Sequence, residues 1–289
     1  MRPILSTVSA LSVTWWGHSS MSIGLGDRVV ATDPLLSRRV WHLRRSTPPP
    51  PPAASRADVV LVSHLHRDHL HLPSLRRFGR DVPVLVPRGA GRLVKGLARQ
   101  RLVEVVPGDE VVHGGVTVQV LPANHDGRRS VFEKGRAPAL GFRIEHERSS
   151  VWYPGDTGAG LDVEGVPASD LAAVPIGGWG PSLGDDHLDP EEAASLVARV
   201  GARWALAVHY GTFWPLTQRR ARKHHHFFVT PPERFVAAMA GTGIEALTPA
   251  FGERVWLVSS SERSERVEML DPQRTRWTRP SSQTGSSDS

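Results

Sequence analysis

Apolar positions in the first third of the chain fall in short runs broken by Gly and Asp. On that pattern Ser12–Trp16, Met21–Leu25, Arg28–Thr32 and Val59–Val62 read as strands. Similar runs at Val82–Val86, Val103–Val106, Val116–Leu121, Ala139–Ile144, Ser150–Tyr153, Ala172–Ile176 and Trp204–Val208 predict further strands. Pro48–Pro52 can be neither helix nor central strand, because proline lacks the backbone N–H, so an extended surface loop is expected. Helix starts are marked twice. Asp189-Pro190-Glu191-Glu192 places an N-cap, a proline at the first helical position and acids at the positive end of the dipole, and the following run stops at Gly201. Thr230-Pro231-Pro232-Glu233 has the spacing of a capping box. A third helix is expected over Arg88–Arg99. Strands interleaved with helices give an α/β class.

Composition narrows the chemistry. At 289 residues, with 39% hydrophobic and 22% charged, the chain resembles an ordinary globular protein. No apolar run is long enough to cross a bilayer. The opening MRPILSTVSALSV is interrupted by Ser and Thr and runs into a strand, so it reads as mature protein rather than a leader. There is no cysteine, which excludes disulfides and thiolate metal sites and fits a cytoplasmic setting. Any metal must then be held by imidazole and carboxylate, and 14 His are available. The formal charge of +6 is almost all arginine, lysine occurring only as Lys95, Lys134 and Lys223, and net charge alone is no argument for nucleic acid. Residues 1–258 are expected to form one domain and 259–289, rich in Ser, Arg, Glu and Thr, a disordered tail.

The strongest local signal is Ser63-His64-Leu65-His66-Arg67-Asp68-His69, directly after the apolar run Val59–Val62. Imidazoles and carboxylates are costly to bury unless paired or bound to metal. His125, Asp156 and His209 each close another strand-like run, at the edge where α/β sheets hold their sites, and Gly155 is read as letting the backbone approach a metal. Singly, each His would more often be a hydrogen-bonded surface residue. Jointly they argue for a metal centre. Asp33 reads equally as an acceptor orienting a ligand imidazole or as a turn residue before Pro34. His18 reads as a structural hydrogen-bonding residue, and His42, His71, His113 and His146 as surface residues. The basic stretch Gln218–His226 is either a solvated loop or a rim that attracts anions.

In the order they occur, these residues resemble the metallo-β-lactamase superfamily. Its HxHxDH signature is matched by His64, His66, Asp68 and His69, and its later positions by His125, Asp156 and His209, over roughly Val13 to Leu257. The segments Trp15–Ser20, Thr32–Pro34, Leu121–His125, Gly155–Thr157, His187–Ala193 and His209–Phe213 are most similar to the branch holding N-acyl-phosphatidylethanolamine-hydrolysing phospholipase D and L-ascorbate-6-phosphate lactonase.

The resemblance implies a four-layer αββα sandwich of two mixed sheets flanked by helices. It implies two zinc ions, iron or manganese also fitting, with His64, His66 and His125 on one, Asp68, His69 and His209 on the other, and Asp156 between. A bridging hydroxide would attack a phosphodiester or related ester. His66, where flavodiiron relatives have Glu, favours hydrolysis over oxygen reduction. Asp68 and His187 are assigned to catalysis, His187 binding a phosphoryl oxygen or protonating the leaving group. The expected partner is a small anionic ester. Alternatives are a lactonase or carboxylic-ester hydrolase, then an RNA-processing nuclease, disfavoured by Leu70 where those enzymes have Gly, and a non-catalytic binding protein.

Overall fold

Strand formation follows the apolar pattern closely. The computed structural model describes residues 11–94, 96–97, 101–129, 137–178, 183–214 and 225–258. The strands are β1 (Leu11–Trp15), β2 (Met21–Leu25), β3 (Arg28–Thr32), β4 (Arg39–Val40), β5 (Leu43–Arg45), β6 (Val59–Leu61), β7 (Val84–Pro87) and β8 (Leu102–Val105). They continue as β9 (Glu110–His113), β10 (Val116–Pro122), β11 (Leu140–His146), β12 (Ser149–Tyr153), β13 (Ser169–Pro175), β14 (Ala202–Val208), β15 (Phe213–Trp214), β16 (Glu245–Leu247) and β17 (Arg254–Leu257). The helices are α1 (Leu72–Leu75), α2 (Pro190–Val200) and α3 (Pro231–Met239).

Two mixed seven-stranded sheets result, ordered β17-β1-β2-β3-β6-β7-β8 and β16-β14-β13-β12-β11-β10-β9, with a small sheet β15-β5-β4 beside them. In β10 every second residue is buried, as a strand with one face on the core requires. β6 is apolar throughout because it lies between the parallel neighbours β3 and β7 with both faces covered. Val13, Ile23 and Leu61 of the first sheet meet Val118, Phe142 and Tyr153 of the second in the central core. α2 and α3 cover the outer face of the second sheet. Over the first sheet the outer layer is thin: α1 and the turns carrying Phe78, Ala90 and Val94.

Two local expectations need correcting. Within the described part of Arg88–Arg99 only a short 3-10 turn forms, at Ala90–Arg92, because Gly89 and Gly96 take left-handed backbone angles that a right-handed helix cannot include. Thr230 does not cap α3. Its own φ and ψ (−85°, −11°) are already helical, since the turn His225–Val229 runs into α3, and its hydroxyl donates back to the carbonyls of His225 and His226. The reciprocal capping box forms instead at Asp189, which accepts from the Glu192 N–H while Glu192 accepts from its own. The tail 259–289 and most of the basic stretch Gln218–His226, namely 218–224, lie outside the described residues. Among the described residues no helix is long and apolar enough to cross a membrane.

The topology brings particular strand ends together. β1, β3 and β6 point the same way, as do β10, β12, β13 and β14, so their C-terminal ends form one edge of the sandwich. The backbone N–H of His209 donates to the His18 carbonyl (3.0 Å) and ties the two sheets at that edge.

Candidate metal centre

The loop after β6 is fixed before its imidazoles are aimed. Leu65 and Leu70 are buried in the outer core of the first sheet, the Leu65 N–H donates to the Gly127 carbonyl, and the Arg129 guanidinium donates to the carbonyls of Leu65 and Leu70. His64, His66, Asp68 and His69 are left facing the edge. From the second sheet, Asp156 follows β12 through Pro154-Gly155. Gly155 has φ +68°, and a Cβ there would meet the Leu140 carbonyl at 2.6 Å and Ser63 Cβ at 2.8 Å. Packing of the strand end against Leu140 and Ser63 therefore itself requires a glycine here. His209 follows β14 with φ +62°, and His125 follows β10.

All seven expected positions converge. His64, His66 and His125 bring ligating nitrogens within 4.8 Å of one another; Asp68, His69 and His209 do the same together with His18. Asp156 shares groups with His64 and His69 on one side and with His125 and His187 on the other. Its Oδ2 lies 3.0 Å from His209 Nε2, 3.2 Å from His69 Nε2, 3.7 Å from His187 Nε2 and 3.9 Å from His64 Nε2. One carboxylate oxygen thus sits among four imidazole nitrogens.

Neighbouring acceptors settle which nitrogen each ring presents. His69 Nδ1 donates to Asp33 Oδ2 (2.8 Å), His209 Nδ1 to the Gly177 carbonyl (2.7 Å), and His125 Nδ1 to the Asp186 carbonyl (3.0 Å). In each case Nε2 is left facing the centre. Asp33, fully buried, also accepts from the Ser63 N–H and hydroxyl and from the Tyr153 hydroxyl at 2.5 Å. Of its two readings, the structure shows the imidazole-orienting one.

The atoms left over point to cations. His69 Nε2, His209 Nε2 and Asp156 Oδ1 are buried without hydrogen-bond partners, the Asp156 contacts to both rings being close but not aligned as hydrogen bonds. His66 Nδ1 stands 2.9 Å from His64 Nε2 and 3.2 Å from His125 Nε2. It carries at most one hydrogen, and His125 Nε2 carries none, so a single N–H at most serves two ring nitrogens and a further positive charge among them would be welcome. Burial opposes charge on the rings and pushes the His64, His66 and His125 imidazoles down, His64 furthest. Burial acts the same way on His69 and His209, but Asp156, aided by Asp33 at His69, overrides it and raises both. Burial would raise the Asp68 and Asp156 carboxyls, yet the surrounding imidazoles hold both well below the usual range. A donor set of imidazoles and carboxylates with unpartnered buried atoms fits divalent metal.

His187 also reaches the centre. Its Nδ1 bonds the Leu183 carbonyl (3.2 Å), its ring lies 5.0 Å from that of His125, and burial lowers its basicity. Sequence reading undervalued His18. It makes the expected hydrogen bond, but to Asp68 Oδ2 (2.9 Å), and its ring is 4.1 Å from that of His209. Burial brings its pKa down to about 4. The sequence signal available was only its place closing the β1 run; that β1 runs parallel to β3 emerges with the fold. His42 and His113 are exposed as expected; His71 and His146 are half-buried, bonding Ser74 and the Gly115 carbonyl.

Residues 28–210 match the model of the beta-lactamase superfamily domain, more than half of the chain. The chain belongs to the beta-lactamase superfamily. It is 30% identical over 232 residues to the N-acyl-phosphatidylethanolamine-hydrolyzing phospholipase D 1 of Caenorhabditis elegans, covering 71% of this chain and 65% of that protein. A metal-dependent hydrolase of Methanopyrus kandleri is 26% identical, covering 72% and 87% of the two chains. A metallo hydrolase of the archaeon Ignicoccus hospitalis shares the fold, with a TM-score of 0.63 and 20% identity over 86% of this chain and 98% of that one. The chain matches 65% of the length of the worm phospholipase.

Proposed function

We propose that the chain is a binuclear phosphodiesterase acting on a phospholipid-like or similar anionic ester. The observation that carries this reading is the Asp156 carboxylate standing between two sets of ligands, His64/His66/His125 and Asp68/His69/His209. A pair of divalent cations bound there would supply an activated water nucleophile near neutral pH and polarise the substrate's oxygen. Asp33, Ser63 and the carbonyls of Gly177 and Asp186 hold the imidazoles in one tautomer and orientation, which fixes where the nucleophile stands. His18 keeps Asp68 ionised and turned inward. His187, its other nitrogen bonded to Leu183, offers Nε2 at the open side of the cluster, where it takes up a proton and delivers it to the departing oxygen. The rigid capping box at Asp189 fixes the backbone beside it.

The substrate class is supported by the similarity to the worm phospholipase D, of which the chain matches 65%. The test is a substrate screen of the zinc-loaded protein against bis-p-nitrophenyl phosphate and a panel of lactones, with Asp68→Ala as control. Diester hydrolysis that disappears in the variant is expected. Turnover confined to lactones would replace the proposal with the lactonase reading.

A further inference from the structure

The hairpin β4–β5 departs from local preference in three ways at once. Val40 and Leu43 pack inward with Leu35 and Phe213, so the pleat turns Arg39 and Arg44 outward and directly opposite each other. Like charges at such a pair weaken a hairpin. No acidic residue occurs anywhere from Pro34 to Ala57, a span that holds Arg38, Arg39, Arg44, Arg45 and Arg56. Arg38, Arg39 and Arg44 are all exposed and form no ion pair among the described residues.

The turn itself is Trp41-His42. Trp41 has φ +49° at the first turn position, where glycine is the rule, and it is 77% exposed, its ring meeting the edge of His42 at 4.6 Å. Backbone strain, an exposed indole and a repulsive pair each oppose folding of the same seven-residue element. Such coincidences mark functional surfaces.

The hairpin is also rigidly joined to the metal centre. The buried Arg45 guanidinium donates to the carbonyls of Trp16, Ser37 and Leu35 and lies over the Phe213 ring. β5 pairs with β15, which begins shortly after His209, and the Phe213 ring is 5.9 Å from that of His18. The Ser46 N–H donates to the Thr212 carbonyl (2.8 Å).

We propose that this hairpin docks the enzyme on an anionic lipid surface. Trp41 enters the headgroup zone, where indole rings settle, and Arg38, Arg39 and Arg44 meet lipid phosphates. The choice of a lipid over other polyanions rests on the phosphodiesterase reading. The charge and the exposed indole do not.

The experiment is co-sedimentation of the full chain with vesicles of phosphatidylcholine alone and of phosphatidylcholine mixed equally with phosphatidylglycerol, at low and high salt. Thermal unfolding and turnover of soluble bis-p-nitrophenyl phosphate are measured in parallel. The wild type should bind the mixed vesicles, weakly at high salt, and prefer them to the neutral ones. Arg39→Glu replaces the repulsive cross-strand pair with an attractive one, so the protein should be at least as stable while its binding falls roughly thirtyfold. Trp41→Gly relieves the backbone strain, so it too should hold or raise the melting temperature while weakening binding about fivefold or more. Both variants should turn over the soluble diester as the wild type does. Wild-type indifference to phosphatidylglycerol, undiminished binding by the variants, or preferential binding of single-stranded DNA would overturn the docking surface. Vesicle binding without any diester turnover would leave it standing and remove the phosphodiesterase reading instead.

Discussion

In the first sheet, four of the seven clustered side chains, His64, His66, Asp68 and His69, leave the end of one strand within six residues. In the second sheet, His125, Asp156 and His209 each leave a different strand, and only the parallel run β12-β13-β14 with β10 brings them to one edge. The first arrangement depends on a loop pinned by Leu65, Leu70 and Arg129; the second depends on register between strands far apart in sequence. A contiguous set can be preorganised locally, whereas a dispersed set exists only in the finished fold. The two halves should therefore fail differently.

The largest effect is expected where they meet. Asp156→Asn leaves a neutral oxygen among four imidazoles, so activity should fall by more than the roughly hundredfold typical when a residue that only supports a ligand is removed. Steady-state kinetics with excess metal checks this, and recovery by added metal would show that Asp156 does not belong to both halves. Asp33→Asn attacks the first half through the orientation of His69. It should weaken metal binding about tenfold to a hundredfold, read by competition with a chromophoric chelator, and excess metal should restore much of the activity.

Gly155→Ala attacks the second half through strand-end packing. With the Leu140 carbonyl 2.6 Å from the added Cβ and φ at +68°, the native state should lose about 2–3 kcal/mol in denaturant unfolding. The smallest effects separate two helix starts. Asp189→Ala removes a formed capping box and should cost about 1 kcal/mol, while Thr230→Ala, with no side-chain cap to lose, should cost a few tenths at most. Equal costs would show that helix anchoring beside His187 contributes nothing special to the dispersed half.

The same contrast explains what could be read before folding. The contiguous motif His64–His69 is visible by composition alone, because no core selects three imidazoles and a carboxylate in six residues. His125, Asp156 and His209 were recoverable as residues closing apolar runs, and their joint meaning came from the family resemblance. His18 was undervalued because nothing in the turn Trp16–Ser20 shows that β1 runs parallel to β3. The contact of Gly155 with Leu140 was not legible, since it is set by tertiary register. Strands β4, β5, β9, β15, β16 and β17 escaped because runs of two to four residues carry no periodicity, and five of them carry arginine or glutamate at exposed positions. The Thr230 box failed because the preceding turn is itself helical, which spacing does not reveal. The hairpin at Trp41 is the sharpest case: its arginines become a repulsive pair only once the register Arg39 to Arg44 is formed.

The central claim is that side chains from both sheets form one cage for two cations. Anomalous diffraction at the zinc edge from crystals of the zinc-loaded protein tests it directly. Two peaks are predicted, one against His64, His66 and His125 and the other against Asp68, His69 and His209, with Asp156 touching both. A single peak, or zinc away from Asp156, would contradict the account.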